Sequence, residues 1–187
     1  MSLPTIWVFG DQLNRGIGAL AGATPLTHRV LFIESTSKIA SRRWHIQRAH
    51  FIVASMRKFA NELRTEGFHV DYRFAHSMRE GFDSHVLEFQ PAEVVATEPN
   101  SYGARQLVAG LGVRTVPSNQ FLCHPDEYQT FLGPRKTIKM EDFYRWQRKR
   151  LNVLMDGDEP MGGRWNFDEE NRQPPPKTGH DRWPEPQ

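Results

Sequence analysis

Cysteine is almost absent from this chain: Cys123 is the single thiol among 187 residues. One thiol cannot close an intrachain disulfide, nor supply the Cys set of a structural zinc or an iron–sulfur cluster. That usage suits a reducing compartment, so the cytoplasm is the expected location. Long apolar runs are missing, and the N-terminus has neither a charged n-region nor a long apolar stretch. No membrane span and no membrane partner are therefore expected. Charge of one sign is not in excess, since 24 Lys and Arg against 22 Asp and Glu leave +2. Such a balance does not by itself argue for a polyanionic partner. There is no Gly-x-x-x-x-Gly-Lys-Ser/Thr loop, no Gly-x-Ser-x-Gly elbow and no His pair at zinc-helix spacing. Serines, histidines and carboxylates occur, but nothing in the sequence groups them into a triad. No catalytic residue and no metal ligand is assigned.

What is present is a globular composition, 38% hydrophobic and 25% charged, long enough for one domain with a real core and a tail. The chain is organised around Ile6-Trp7-Val8-Phe9, which stops abruptly at Gly10-Asp11-Gln12. A short apolar run ended by a turn signal reads as a strand buried on both faces, hence central in a sheet. Gly10 is read as the residue that lets the chain leave the strand, through backbone angles other residues avoid. In open parallel sheets, ligands bind outside the carboxyl ends of the central strands. Asp11 and Gln12 are therefore expected at the mouth of a pocket, unless Asp11 only closes an Asx turn.

The rest of the chain alternates. Arg29 to Glu34 is a second buried strand, with Glu34 at its end. Glu34 and Asp11 together either bind ligand hydroxyls or cap the turns that follow. His45 to Glu66 is a helix with Ile52, Met56, Phe59 and Leu63 on one stripe, stopped by Gly67. His45 opens it, as a ligand contact or as a structural residue. His69 to Phe74, Glu93 to Thr97 and Val113 to Val116 are further strands. Arg79 to Phe89, with Phe82, Val86 and Phe89 inward, and Tyr102 to Leu111 are the helices between them. The pattern implies an α/β fold: a doubly wound, mostly parallel five-stranded sheet in the order 3-2-1-4-5. Gly16-Ile17-Gly18-Ala19-Leu20-Ala21 matches a loose dinucleotide fingerprint. We discount it, because in that fold the first glycine sits directly at the strand end.

Residues 1–134 form the α/β domain on this reading. Residues 135–172 are a helical extension and a wrapping segment. Its helix, Met140 to Met155, carries Phe143, Tyr144, Leu151 and Leu154 on one stripe. Arg145, Arg148 and Lys149 are expected on a solvated basic face rather than on phosphate. An exposed apolar patch is expected near Trp165 or Trp183. Residues 173–187, with five prolines, read as a linker or tail.

Several motifs together resemble the N-terminal half of the photolyase-related proteins, the iron–sulfur bacterial cryptochromes and (6-4) photolyases. They are Val8-Phe9-Gly10-Asp11-Gln12-Leu13, Glu34, Ala54-Ser55-Met56-Arg57-Lys58-Phe59-Ala60, Thr97-Glu98-Pro99 and Met140-Glu141-Asp142-Phe143-Tyr144-Arg145. The longest runs from Pro160-Met161-Gly162-Gly163 to Asn171-Arg172. The resemblance implies a Rossmann-like antenna domain that holds a light-harvesting chromophore, 6,7-dimethyl-8-ribityllumazine or a related flavin-like molecule. It implies ligand contacts at Phe9, Gly10, Asp11, Gln12, Glu34, His45 and Ile52. At Lys38 and Ser41 the chain departs from lumazine-holding members, which have an acidic residue and a tyrosine there. Trp44 is also unlike the usual polar residue, and either stacks on a ring or blocks the pocket.

The helical half that would hold FAD and the cluster is not in this sequence, so neither group is expected on this chain. The implied partners are that FAD domain or a second copy of the chain. DNA would be met only weakly, or through the FAD domain. The alternative is a stand-alone small-molecule or nucleotide-binding α/β protein without the light role.

Overall fold

A computed structural model describes residues 2–168. The proline-rich segment 173–187, with Trp183, and residues 169–172 lie outside the described residues. The chain divides into two compact units, 1–124 and 125–187, so the boundary falls ten residues before the one expected at 134.

The first unit is the α/β domain. Its elements in chain order are β1 (Thr5–Trp7), α1 (Gly18–Ala21), β2 (Arg29–Ser35), α2 (Thr36–Ala40) and α3 (Ile46–Thr65). Next come β3 (His69–Ala75), α4 (Met78–Phe89), β4 (Val94–Thr97), α5 (Tyr102–Gly110) and β5 (Arg114–Val116). The five strands form one sheet in the order β3-β2-β1-β4-β5, and every pairing is parallel. The central position of β1 follows from its composition, since Ile6 and Trp7 are 2% and 0% exposed.

Side chains alternate across a strand, and β1 divides its residues between two cores accordingly. Ile6 and Val8 join Val30, Phe32 and the α3 residues Met56, Phe59, Ala60 and Leu63 on one face. Trp7 and Phe9 join Leu31, Ile33, Phe82 of α4 and Val108 of α5 on the other. The α3 stripe read from the sequence is thus its core face, and Ser77 and Ser101 cap α4 and α5 by accepting from Glu80 N and Ala104 N. Phe89 is half-buried rather than core, and it is His85, one turn earlier, that is fully buried.

The second unit contains α6 (Pro125–Leu132), α7 (Met140–Leu151) and a small antiparallel pair, β6 (Met155–Asp156) with β7 (Glu159–Pro160). Tyr128 and Phe131 of α6 meet Phe143 of α7, and Phe131 also meets Trp146, at ring distances of 5.2–5.4 Å. The helix ends at Leu151 rather than Met155, because Asn152 turns into the left-handed region at φ 52°. Leu154 is then 58% exposed and Tyr144 45%, so the stripe expected to continue to Leu154 breaks.

Arg148 does not stay solvated. It is 7% exposed, and its guanidinium donates to Val153 O, Leu154 O and Tyr144 Oη. Val153 and Leu154 follow the helix end at Leu151, so the chain turning back beyond Asn152 brings their carbonyls to the guanidinium and covers it. Arg145 and Lys149 remain exposed. Trp165 is half-buried, with the cations of Arg145, Arg148 and Lys149 within 5.2–5.7 Å of its ring. Met161 and Phe167 in the same segment are exposed apolar side chains.

Candidate functional site

A cavity of about 500 Å³ opens at the carboxyl ends of β1, β2 and β4, within the range typical of small-molecule sites. Phe9 and Gly10 continue β1 into its floor, and Ile33 and Glu34 at the end of β2 form a second wall. Helix α3 contributes Ile52 and Met56, and α5 begins beside it with Ser101 and Gly103. The inner lining is apolar and buried: Val8, Phe9, Ile33 and Met56 are 3–8% exposed.

Gly10 has its role here through packing, not through backbone freedom. Its φ is not positive, contrary to the turn reading. A Cβ at this position would lie 3.0 Å from Met56 Sδ and 3.1 Å from Ile52 Cγ2. The missing side chain lets α3 close on the strand end and shapes the cavity wall.

Of the residues expected at the site, Phe9, Gly10, Asp11, Glu34 and Ile52 line this cavity. Two do not. Gln12 is 3% exposed and turns toward β4, where Nε2 donates to the carbonyls of Thr97 and Glu98. It ties neighbouring strand ends together behind the cavity. His45 is exposed and caps α3, its Nδ1 accepting from Gln47 N, so the structural reading of this residue is the one realised.

Asp11 also does more than close its own turn. Its Oδ2 accepts from Asn100 Nδ2 at 3.0 Å, and its carbonyl accepts from Gln120 Nε2. Glu34 accepts three hydrogen bonds, from Arg57 Nε and Nη2 at 3.0 and 2.7 Å and from Tyr72 Oη at 2.9 Å. Arg57 is thereby raised above its ordinary pKa, chiefly by the Glu34 hydrogen bond. Burial, and then Glu34, push the Tyr72 phenol up to about 12. Most of the accepting capacity of Glu34 is spent inside the protein, and Asp11, Asn100 and Ser101 are further polar groups in the lining.

The lining also contains Arg42, Arg48, Asn100 and Ser101, which sequence reasoning did not assign. Lys38 and Trp44, noticed only as departures from a family pattern, line it too. Asn100 and Ser101 had a usable signal, since they follow a strand end and open a helix. Arg42 and Arg48 had none. The Gly16-x-Gly18 match lies away from the cavity. Gly18 instead faces Thr97, and its N–H donates to Asn119.

A second polar constellation has the atoms of a nucleophile–base–acid relay. Thr5 Oγ1 is 3.0 Å from His85 Nε2, and His85 Nδ1 is 2.6 Å from Asp71 Oδ2. An ionised carboxylate only accepts, so His85 Nδ1 carries a proton, and Nε2 is left to bond the Thr5 hydroxyl. Burial would raise the Asp71 pKa, but the hydrogen bonds from His85 and Arg73 outweigh it and hold it below its ordinary value. Thr5 and His85 are both 0% exposed, and the group sits where β1 and β3 begin, at the opposite edge of the sheet. No substrate reaches the hydroxyl, so the relay is structural. Among the described residues no cluster of His, Cys, Asp and Glu could hold a metal, and no helix is long and apolar enough to cross a membrane.

The fold is an α/β domain of Rossmann-like type, with its cavity at the carboxyl edge of a parallel sheet, where ligands bind in such folds. Comparison with known proteins narrows this class. Residues 6–187 match the family of deoxyribodipyrimidine photo-lyase-related proteins, and the chain belongs to that family. It is 32% identical over 185 residues to a (6-4) photolyase of Agrobacterium fabrum (strain C58 / ATCC 33970). That match covers 90% of this chain and 36% of the relative, so the chain spans about a third of that protein's length. A shorter match, 44% identical over 41 residues, joins it to uncharacterized protein R852 of Acanthamoeba polyphaga mimivirus, covering 22% of this chain and 21% of that one.

Proposed function

We propose that the cavity holds a planar, hydroxylated chromophore of the lumazine or flavin type, and that the domain is the light-harvesting part of a photolyase-related protein. The observation that carries this reading is the cavity itself. It combines a buried apolar slot, made by Phe9, Ile33, Ile52 and Met56, with hydrogen-bonding groups at Asp11, Asn100 and Ser101. The apolar slot suits a ring and the polar rim suits a polyhydroxylated chain, while Ile52 and Met56, packed close against Gly10, form one wall of the slot. When bound, the chromophore would absorb light. The chain's own residues bind it, orient it and keep water from its ring. On this reading the excitation passes to an FAD-bearing helical domain, which is also the part that meets DNA.

The test is the absorption spectrum of the protein as purified, with mass spectrometry of whatever it releases on denaturation. A near-ultraviolet or blue band together with a lumazine or flavin mass is expected. A colourless protein that also fails to bind added 6,7-dimethyl-8-ribityllumazine and riboflavin refutes the proposal. The cations at the cavity mouth favour one second reading, a stand-alone domain for nucleotides or other small anions.

A further inference from the structure

The polar side of the cavity is not evenly charged. Lys38 at α2, Arg42 in the connection to α3 and Arg48 in the first turn of α3 all line it. All three are exposed, and none has a carboxylate within ion-pair distance among the described residues. Against them stand two carboxylates. Glu34 is neutralised by its two-pronged pair with Arg57, and Asp11 is already bonded to Asn100. Between two of the cations lies Trp44, half-buried, with Arg48 4.8 Å and Arg42 5.9 Å from its ring. The indole gives the guanidinium groups a flat surface to rest on, which limits the positions they adopt. The cavity thus runs from an apolar interior to a mouth where three cations have no carboxylate partner among the described residues.

We infer that the ligand of this chain carries an anionic terminus, a phosphate in chemical class, held by Lys38, Arg42 and Arg48 while its ring occupies the slot between Phe9 and Ile52. This rests on the chromophore reading and refines it: the favoured ligand is a phosphorylated ring compound rather than a neutral ribityl one. Arginine forks match phosphate oxygens two at a time, and lysine adds a point charge. Phosphate bound at an exposed mouth is partly screened, so the preference depends on salt.

The experiment compares ligands that share a ring and differ in charge. Affinities of the full chain for riboflavin, flavin mononucleotide, 6,7-dimethyl-8-ribityllumazine, AMP and a short oligothymidylate are measured by titration calorimetry. Flavin mononucleotide is expected to bind about tenfold or more tightly than riboflavin, as charge-assisted hydrogen bonds to phosphate imply. That preference should shrink as salt is raised from about 50 to 500 mM. In Arg42→Gln, Arg48→Gln the preference should collapse while riboflavin affinity stays, which also shows that the variant keeps its cavity.

Equal affinity for riboflavin and flavin mononucleotide overturns the anionic-terminus inference and leaves the chromophore reading standing. Binding of AMP, lost in the arginine variant, with no binding of any flavin or lumazine does the reverse. Binding of the oligonucleotide alone, or of no ligand, overturns both.

Discussion

Replacing His85 with Leu tests whether the buried Thr5–His85–Asp71 group holds the sheet together. His85 and Thr5 are both fully buried, and their side chains meet 80 positions apart in sequence. In the variant the Thr5 hydroxyl loses its side-chain partner in a place water does not reach, which costs about 1–3 kcal/mol. Asp71 loses a charge-assisted hydrogen bond, worth about 1.5–3 kcal/mol in general. It keeps Arg73 at 2.5 Å and is 15% exposed, so the lower end applies. Leucine recovers part of the loss by filling the space. The net is about 2–4 kcal/mol, a large share of the 5–15 kcal/mol that ordinarily separates folded from unfolded chains. For a chain of this size that lowers Tm by roughly 5–15 °C.

The assay is urea and thermal unfolding followed by circular dichroism, on wild type, Thr5→Val, His85→Leu and the double variant. Thr5→Val strands the imidazole nitrogen instead of the hydroxyl, so each single change leaves one buried group unpaired. The double variant removes both, and should cost about 1–2 kcal/mol less than the sum of the singles. Acid adds a second reading of the same network. Asp71 is held below its ordinary pKa, so its contribution is present above the unfolded value of about 4 and is lost as pH falls through the folded value. His85→Leu should therefore flatten the loss of stability below about pH 4. Strict additivity, within about 0.5 kcal/mol, would refute the argument, because independent sites behave in that way.

Two further outcomes are expected. Tyr72 is raised to about 12, so the neutral phenol is favoured in the folded chain; its contribution is intact below about pH 10, the unfolded value, and lost above it. Urea midpoints measured at pH 9, 10.5 and 11.5 should fall less steeply in Tyr72→Phe, and an undiminished fall would contradict the assignment. Gly18 sits at φ +48°, and a Cβ there would lie 2.3 Å from Thr97 Oγ1. Gly18→Ala should cost about 1–3 kcal/mol from the backbone alone, before the clash with β4 is added. Gly22→Ala, with open space and φ −96°, should stay within about 0.5 kcal/mol. Equal melting temperatures for the two variants would show that the α1 contact with Thr97 is dispensable.

The sequence by itself determined the periodic features of this protein. Ile6-Trp7-Val8-Phe9 had to lie between two layers, because no alternation spares either face, and the strand–helix alternation led to a parallel sheet in the order found. The stripe of Met56, Phe59 and Leu63 marked the buried face of α3 for the same reason. Glycine and aspartate after the first strand located the edge that carries the cavity. Only the tertiary structure decided which polar groups face that cavity. Asp11 and Gln12 are neighbours, yet one reaches the rim and the other ties down β4, since consecutive side chains part company wherever the chain turns.

Arg42 and Arg48 lie on a connection and a helix start with no periodic signal, and only the approach of α3 to β1 across Gly10 brings them to the mouth. His85 and Arg148 carry polar side chains into buried places for which composition gives no warning. Each is held by partners that folding brings within reach: a strand start 80 residues away for His85, and the carbonyls of the chain turning back after α7 for Arg148. Burial of a polar group depends on whether a partner is within reach, and reach across the chain is a property of the folded arrangement.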